Sequence, residues 1–151
     1  MTETTKTEKP KTVRALRMNS LRADGQENTD RVELVVRDPF TGVEIREDDG
    51  TPAVVIVLRP LAPGVHDAII VKHTSLKRVG QTLSEYIDQT AVSNEILCTV
   101  IEGWTGLVGC DDRPLLCTDA VKIKIDERLK MQVTRKLFGA EAVEVGAETF
   151  R

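Results

Sequence analysis

The run Ala53-Val54-Val55-Ile56-Val57-Leu58 constrains the fold more than any other stretch. It is unbroken by polar residues and mostly β-branched. That pattern reads as a strand covered on both faces, since a strand with one wet face would alternate. Such a strand needs neighbours. Arg31–Asp38 (RVELVVRD) has β-branched residues and partial alternation, and Val43–Arg46 reads as a short second strand. Two turns join these pieces. In Asp38-Pro39-Phe40-Thr41-Gly42, Pro39 presets φ and Gly42 closes the reversal. In Glu47-Asp48-Asp49-Gly50, Asp-Gly is the strongest hairpin signal in the chain. The expectation is a three-stranded antiparallel meander.

After Leu58, Pro60, Pro63 and Gly64 break the pattern, and His66–Lys77 fits either a strand or a helix. From Thr82 the positions Leu83, Tyr86, Ile87, Thr90, Ala91, Asn94, Leu97, Cys98, Ile101 and Trp104 recur at three- and four-residue steps. This predicts a helix of about twenty residues, capped by Thr82 or Ser84 and ended by Gly103 and Gly106. Thr105–Thr118 reads as a hairpin, with Leu107-Val108 and Leu115-Leu116 flanking a Gly-Cys-Asp-Asp-Arg-Pro turn. Thr118-Asp119 can cap a further helix. Asp126–Phe138 has helical spacing at Leu129, Val133 and Leu137, with Gly139 as its C-cap. The tail ends in Phe150-Arg151, near enough to fold back. The predicted fold class is α+β: a small antiparallel β meander packed with one long helix, a second hairpin and a C-terminal helix, preceded by a flexible N-terminal arm.

That arm, flexible or extended, is residues 1–30, rich in Thr, Lys, Glu, Asp and Asn; residues 31–151 form the single α+β domain expected of a chain of 151 residues. Only Val13, Leu16, Met18 and Leu21 are large and apolar in the arm, and they are its candidate partner-binding residues. Residues 1–31 hold seven Lys/Arg against five Asp/Glu, and the net charge of −3 then leaves the remainder at −5. An acidic body argues against a general nucleic-acid binder. Aromatic residues make up only 3%, so the core must be aliphatic and few rings exist on which bases could stack. No apolar run approaches the ~20 residues of a membrane span. MTETTKTEKP also lacks the apolar stretch of a secretion signal. The expected setting is the inside of a cell or of an assembled particle, without membrane contact.

The chemistry-bearing residues are few. His66 and His73 are the only histidines, and no Cys or carboxylate cluster stands beside them at metal-ligand spacing. Of Cys98, Cys110 and Cys117, the last two flank a predicted turn, so a Cys110–Cys117 disulfide is a candidate, with reduced thiols the default inside a cell. Glu47-Asp48-Asp49 lacks the alternating oxygen ligands of a calcium loop. Asp111-Asp112 are adjacent carboxylates that suit a solvated loop. With no phosphate loop and no nucleophile elbow, no catalytic residue, cofactor or metal is expected, and a protein-binding, non-enzymatic role is.

The stretch Ile101-Glu102-Gly103-Trp104-Thr105-Gly106-Leu107-Val108, followed by Asp112-Arg113-Pro114-Leu115-Leu116-Cys117-Thr118, resembles the tail assembly chaperones and related small tail-morphogenesis proteins of long-tailed bacteriophages. The turn at Asp38–Gly42 is similar in place. The resemblance is specific over 101–118 and follows the layout over about 32–151. Gly103, Trp104, Gly106, Pro114 and Thr118 are its motif residues, and their expected role is structural. It implies a partner such as the tape measure or tail tube subunit, bound in the host cytoplasm during virion assembly. The alternative is a structural virion protein, a capsid decoration or tail component held by its arm. Self-association is left open. A regulatory or nucleic-acid-binding module is a third and weaker reading.

Overall fold

A computed structural model describes residues 11–147. The elements, in order, are β1 (Thr12–Met18), β2 (Val32–Val35), β3 (Val55–Leu58), α1 (Pro63–Lys72), β4 (Thr74–Val79), β5 (Thr82–Ile87), α2 (Gln89–Val100), β6 (Ile101–Thr105), α3 (Asp119–Lys122), α4 (Glu127–Phe138) and β7 (Ala140–Gly146). The fold is α+β, with three small antiparallel sheets: β2-β3-β6, β1-β7 and β4-β5.

The apolar run does what its composition demands and lies at the centre. Ile56 and Leu58 of β3 are wholly buried. They join Leu34 and Val36 from the β2 side, Leu97 and Val100 of α2, and Leu129, Val133 and Leu137 of α4 in one aliphatic cluster. Burial alternates along β3: Val55 and Val57 stay half-exposed. So the strand is fully covered on one face only, and the unbroken apolar run overstated its burial.

The expected meander is corrected in its second strand. β3 pairs with β2 on one side and with β6 on the other. Val43–Arg46 adds only isolated bridges, Arg37 to Glu44 and Arg46 to Pro52. The flanking turns form for the reasons read from the sequence. Asp38 Oδ1 accepts from the Phe40 and Thr41 amides (2.8 and 3.2 Å), and Gly42 has φ 71°. Asp49 Oδ1 accepts from the Thr51 amide and hydroxyl.

The long helix is also corrected. The segment 82–104 divides into β5, α2 and β6. Asp88, not Thr82 or Ser84, caps α2 by accepting from the Ala91 amide at 3.1 Å. Gly103 lies inside a strand. The run Cys98–Trp104 is rich in residues with β preference, and pairing with β3 takes it once α2 has ended. His66–Lys77, ambiguous in sequence, contains both a helix and a strand. The C-terminal helix matches its expectation, with Asp126 as its cap.

Two other expectations find partial counterparts. Thr118 occupies the N-cap position of the one-turn α3, yet its side chain makes no capping bond. Gly139 follows α4 in extended backbone (φ −88°, ψ −177°), not the left-handed cap. It must be glycine for space, since a Cβ would stand 2.4 Å from the Arg135 carbonyl oxygen.

Lys122 of α3 is 8% exposed and donates to the Cys98 carbonyl oxygen of α2 (3.2 Å) and to Asp119 (3.5 Å). It satisfies a carbonyl that the last turn of α2 leaves without a helical donor. Gly106 is more tightly specified. Its φ is 82°, and a Cβ there would lie 2.2 Å from the Ala53 carbonyl oxygen, where β6 leaves the sheet. Gly106→Ala is expected to destabilise the fold by at least about 2 kcal/mol, from left-handed strain and overpacking together. Urea unfolding checks this: the midpoint falls while the slope is unchanged.

Candidate protein-binding surface

Two of the three sheets have only two strands, and each places apolar side chains in solvent. The first is the β1–β7 ribbon. Val13 faces Val145, Ala15 faces Val143, Leu16 faces Ala142 and Met18 faces Ala140. Arg14 opposite Glu144 and Arg17 opposite Glu141 set the register by cross-strand charge. Alternation places Val13, Ala15, Val143 and Val145 on one face and Leu16, Met18, Ala140 and Ala142 on the other. Both faces are therefore partly apolar. Leu16 is 64% exposed and Met18 52%.

This ribbon contains three of the four candidate partner-binding residues of the arm, Val13, Leu16 and Met18. Residues 1–10 lie outside the described residues, as do Phe150 and Arg151. Over Thr12–Met18 the arm takes its extended form, a strand hydrogen-bonded to β7. Val13, Leu16 and Met18 sit in that strand, and Leu21 in a small bend beyond it, bridged to Glu27. The pairing with β7 is not foreseen in the sequence, for a physical reason. A strand that pairs with a segment 120 or more residues away leaves no local sequence signal, and β1 carries too little apolar material to announce burial. The ribbon is tied down where it meets the body: Asn19 N–H donates to the Gly139 carbonyl (3.3 Å), and Asn28 N–H to that of Ser20 (2.9 Å). Under this junction lies a recess of about 280 Å³ with Leu21, Leu61, Leu137 and Phe138 in its lining, rimmed by His66, Asp67 and Glu27.

The second ribbon is the β4–β5 hairpin. Gly80-Gln81 forms its two-residue turn, with Gly80 at φ 65°, the conformation that a primed turn needs at its first central position. Leu76 and Leu83 share one face and are 67% and 60% exposed. Val79 and Tyr86 share the other, where Lys77 Nζ lies 3.9 Å from the centre of the Tyr86 ring. The sequence reading missed this surface by assigning Leu83 and Tyr86 to a helix. The missed signal was Gly80-Gln81 between two β-rich runs.

The hairpin is fixed to the body at its root. Asp88 N–H donates to the His73 carbonyl (3.1 Å), and Thr74 Oγ1 to that of Ile70 (2.6 Å). Glu95 of α2 takes Lys72 on one oxygen and His73 Nε2 (3.0 Å) on the other. The hydrogen bond from Lys72, with that from His73, holds the Glu95 carboxyl below its ordinary range. Because the folded value is depressed, this tether is intact above the ordinary carboxylate range and is lost as pH falls through the folded value. The melting-temperature difference between the wild type and Glu95→Gln is expected to be constant at neutral pH and to vanish on acidification.

Of the motif residues of 101–118, Trp104 and Pro114 hold the second hairpin. Trp104 packs half-buried against the core and donates from Nε1 to the Leu115 carbonyl oxygen (3.0 Å). Pro114 bridges Val108, so the second hairpin forms around its tip at Gly109–Arg113. Cys110 is exposed at that tip, whereas Cys117 lies at the base against the core. The candidate Cys110–Cys117 disulfide is therefore corrected: the residues sit at opposite ends of the hairpin, and all three cysteines are free. Burial raises the pKa of the Cys98 and Cys117 thiols, and the Asp119 carboxylate adds to it. Cys110 is expected to react first and fastest with an aromatic disulfide reagent at mild alkaline pH, with Cys98 and Cys117 following slowly until denaturant is added.

No group of three or more His, Cys, Asp or Glu suited to a metal occurs among the described residues, and no helix there is long and apolar enough to cross a membrane. No family model, curated protein or solved structure matches the chain.

Proposed function

We propose that the chain is a protein-binding factor of phage tail morphogenesis, which engages a tail protein during assembly in the host cytoplasm. The observation that carries the binding role is the pair of two-stranded ribbons. An isolated two-stranded ribbon is marginal in water, and it gains stability when a third strand or an apolar face covers it. Here Leu16, Met18, Leu76, Val79, Leu83 and Tyr86 stand exposed on two such ribbons. Their backbone edges and apolar faces suit an extended or aliphatic segment of another protein. The assignment to tail assembly rests on the resemblance of residues 101–118.

A second reading is a building block that remains in the capsid or tail. The open edges of the β1–β7 ribbon favour it, since a ribbon can be incorporated in a neighbouring subunit's sheet. Mass spectrometry of purified particles separates the two: stoichiometric copies support the building block, and presence only in infected-cell lysate supports the transient factor.

Coexpression with the tape measure or tail tube protein tests the proposal. The partner's soluble yield is expected to rise. The double substitutions Leu76→Lys/Leu83→Lys and Leu16→Lys/Met18→Lys should each weaken binding roughly tenfold or more. These are exposed positions, so the melting temperature should change little. No gain in solubility with either tail protein would count against the reading.

A further inference from the structure

The central sheet has an open backbone edge. Val36 N–H donates to the Val54 carbonyl (3.0 Å), so the even-numbered residues of β2 turn their peptide groups toward β3. The odd-numbered ones, Glu33, Val35 and Arg37, turn theirs outward. At Arg37 a side chain occupies them. Gln132 of α4 accepts from the Arg37 amide and donates to the Arg37 carbonyl, each at 2.9 Å. At Glu33 and Val35 no described residue takes the outward groups, and a groove of about 510 Å³ runs along the edge instead.

We propose that this edge is closed by the same edge of a second copy, β2 against β2, antiparallel about a two-fold axis at Val35. Charge and hydrogen-bond parity select the register. An axis at Glu33 sets Glu33 against Glu33. An axis at Leu34 sets Arg31 against Arg37. An axis at Val36 sets Glu33 against Pro39, which has no N–H to give. The axis at Val35 alone sets Glu33 of each copy against Arg37 of the other; the hydrogen-bonded pairs 33–37 and 35–35 all turn their peptide groups outward, and Pro39 meets Arg31 only beyond these pairs. Val35 then meets Val35, and Val35, Val55 and Val57 of both copies form one strip on the face away from α4.

The contact is isologous, so each complementary pair occurs twice, and the two three-stranded sheets become one of six strands. Gln132 acts as a built-in competitor. Its amide holds at Arg37 the bonds that Glu33 of the second copy would make, so it must swing aside for the dimer to close. Competition of this kind limits edge-to-edge association without abolishing it. Ala140, Glu141 and Ala142 of β7 line the far side of this groove, so it adjoins the first ribbon, but no residue of the β4–β5 hairpin lines it. The tail-protein reading does not require the β2 edge, so failure of the dimer would leave that reading standing.

Sedimentation velocity of the full chain over a concentration series tests the proposal. A concentration-dependent dimer is expected. E33R and R37E should each weaken it roughly tenfold or more, since each creates two like-charge pairs. E33R and R37E combined should restore it, and Q132A should tighten it. Amide exchange in the wild type should show Glu33 and Val35 protected at high concentration and open at low. A monomer throughout, Q132A included, would overturn the proposal, as would single charge reversals without effect, no rescue in the combined variant, or open Glu33 and Val35 amides at high concentration.

Discussion

The packing of β3 against α2 and α4 is the contact on which the remaining structure depends. Ile56 and Leu58 share with both helices a buried cluster that holds no aromatic ring among its fully buried members. Aliphatic side chains bury less area each than rings do, so stability must come from close fit. That explains the tight backbone approaches around this layer. Gly106 lets β6 leave the sheet against Ala53, and Gly139 lets the chain leave α4 against Arg135. Lys122, reaching under α2 to the Cys98 carbonyl, completes the same layer with a polar contact.

How much of this the sequence disclosed follows from the range of each interaction. Local chemistry was legible. The Asp38 turn, the Asp-Gly turn at Asp49-Gly50, the α4 spacing and the Trp104 hairpin are each decided by residues within a few positions of one another. The division of 82–104 was not, because Leu83, Tyr86 and Ile87 satisfy a helical period by coincidence while lying in an exposed strand. Pairing between β1 and β7 was illegible for a different reason, since nothing near Thr12 encodes a partner at Gly146. The candidate surface was accordingly half visible. The apolar residues Val13, Leu16, Met18 and Leu21 were identified, but their strand and the β4–β5 hairpin came only with the structure.

A small core also shapes the exterior. With one three-stranded sheet and two main helices, little apolar surface remains to cover the further sheets. Both ribbons therefore project from the body, held by a few bonds at their roots. In the hairpin these are the His73–Asp88 backbone bond and the Glu95 tether. In the other ribbon they are Asn19–Gly139 and the contact of Lys136 with Glu141 (3.5 Å). Rooted this way, each ribbon presents its residues at a defined position while its far end stays clear of the core.

The pairing of β1 with β7 joins the two ends of the described chain: the Ala147 amide donates to the Lys11 carbonyl at 3.0 Å. Topologically the polypeptide is almost a ring. Closing a ring of this length costs entropy that local contacts do not, so the ribbon is expected to form after the sheet–helix layer. Because Lys11 and Ala147 lie side by side, a short linker joining residues 11 and 147 of the described segment would close it, with new termini opened at an exposed turn such as Gly80-Gln81. The order of elements along the chain would change, and the arrangement in space would not.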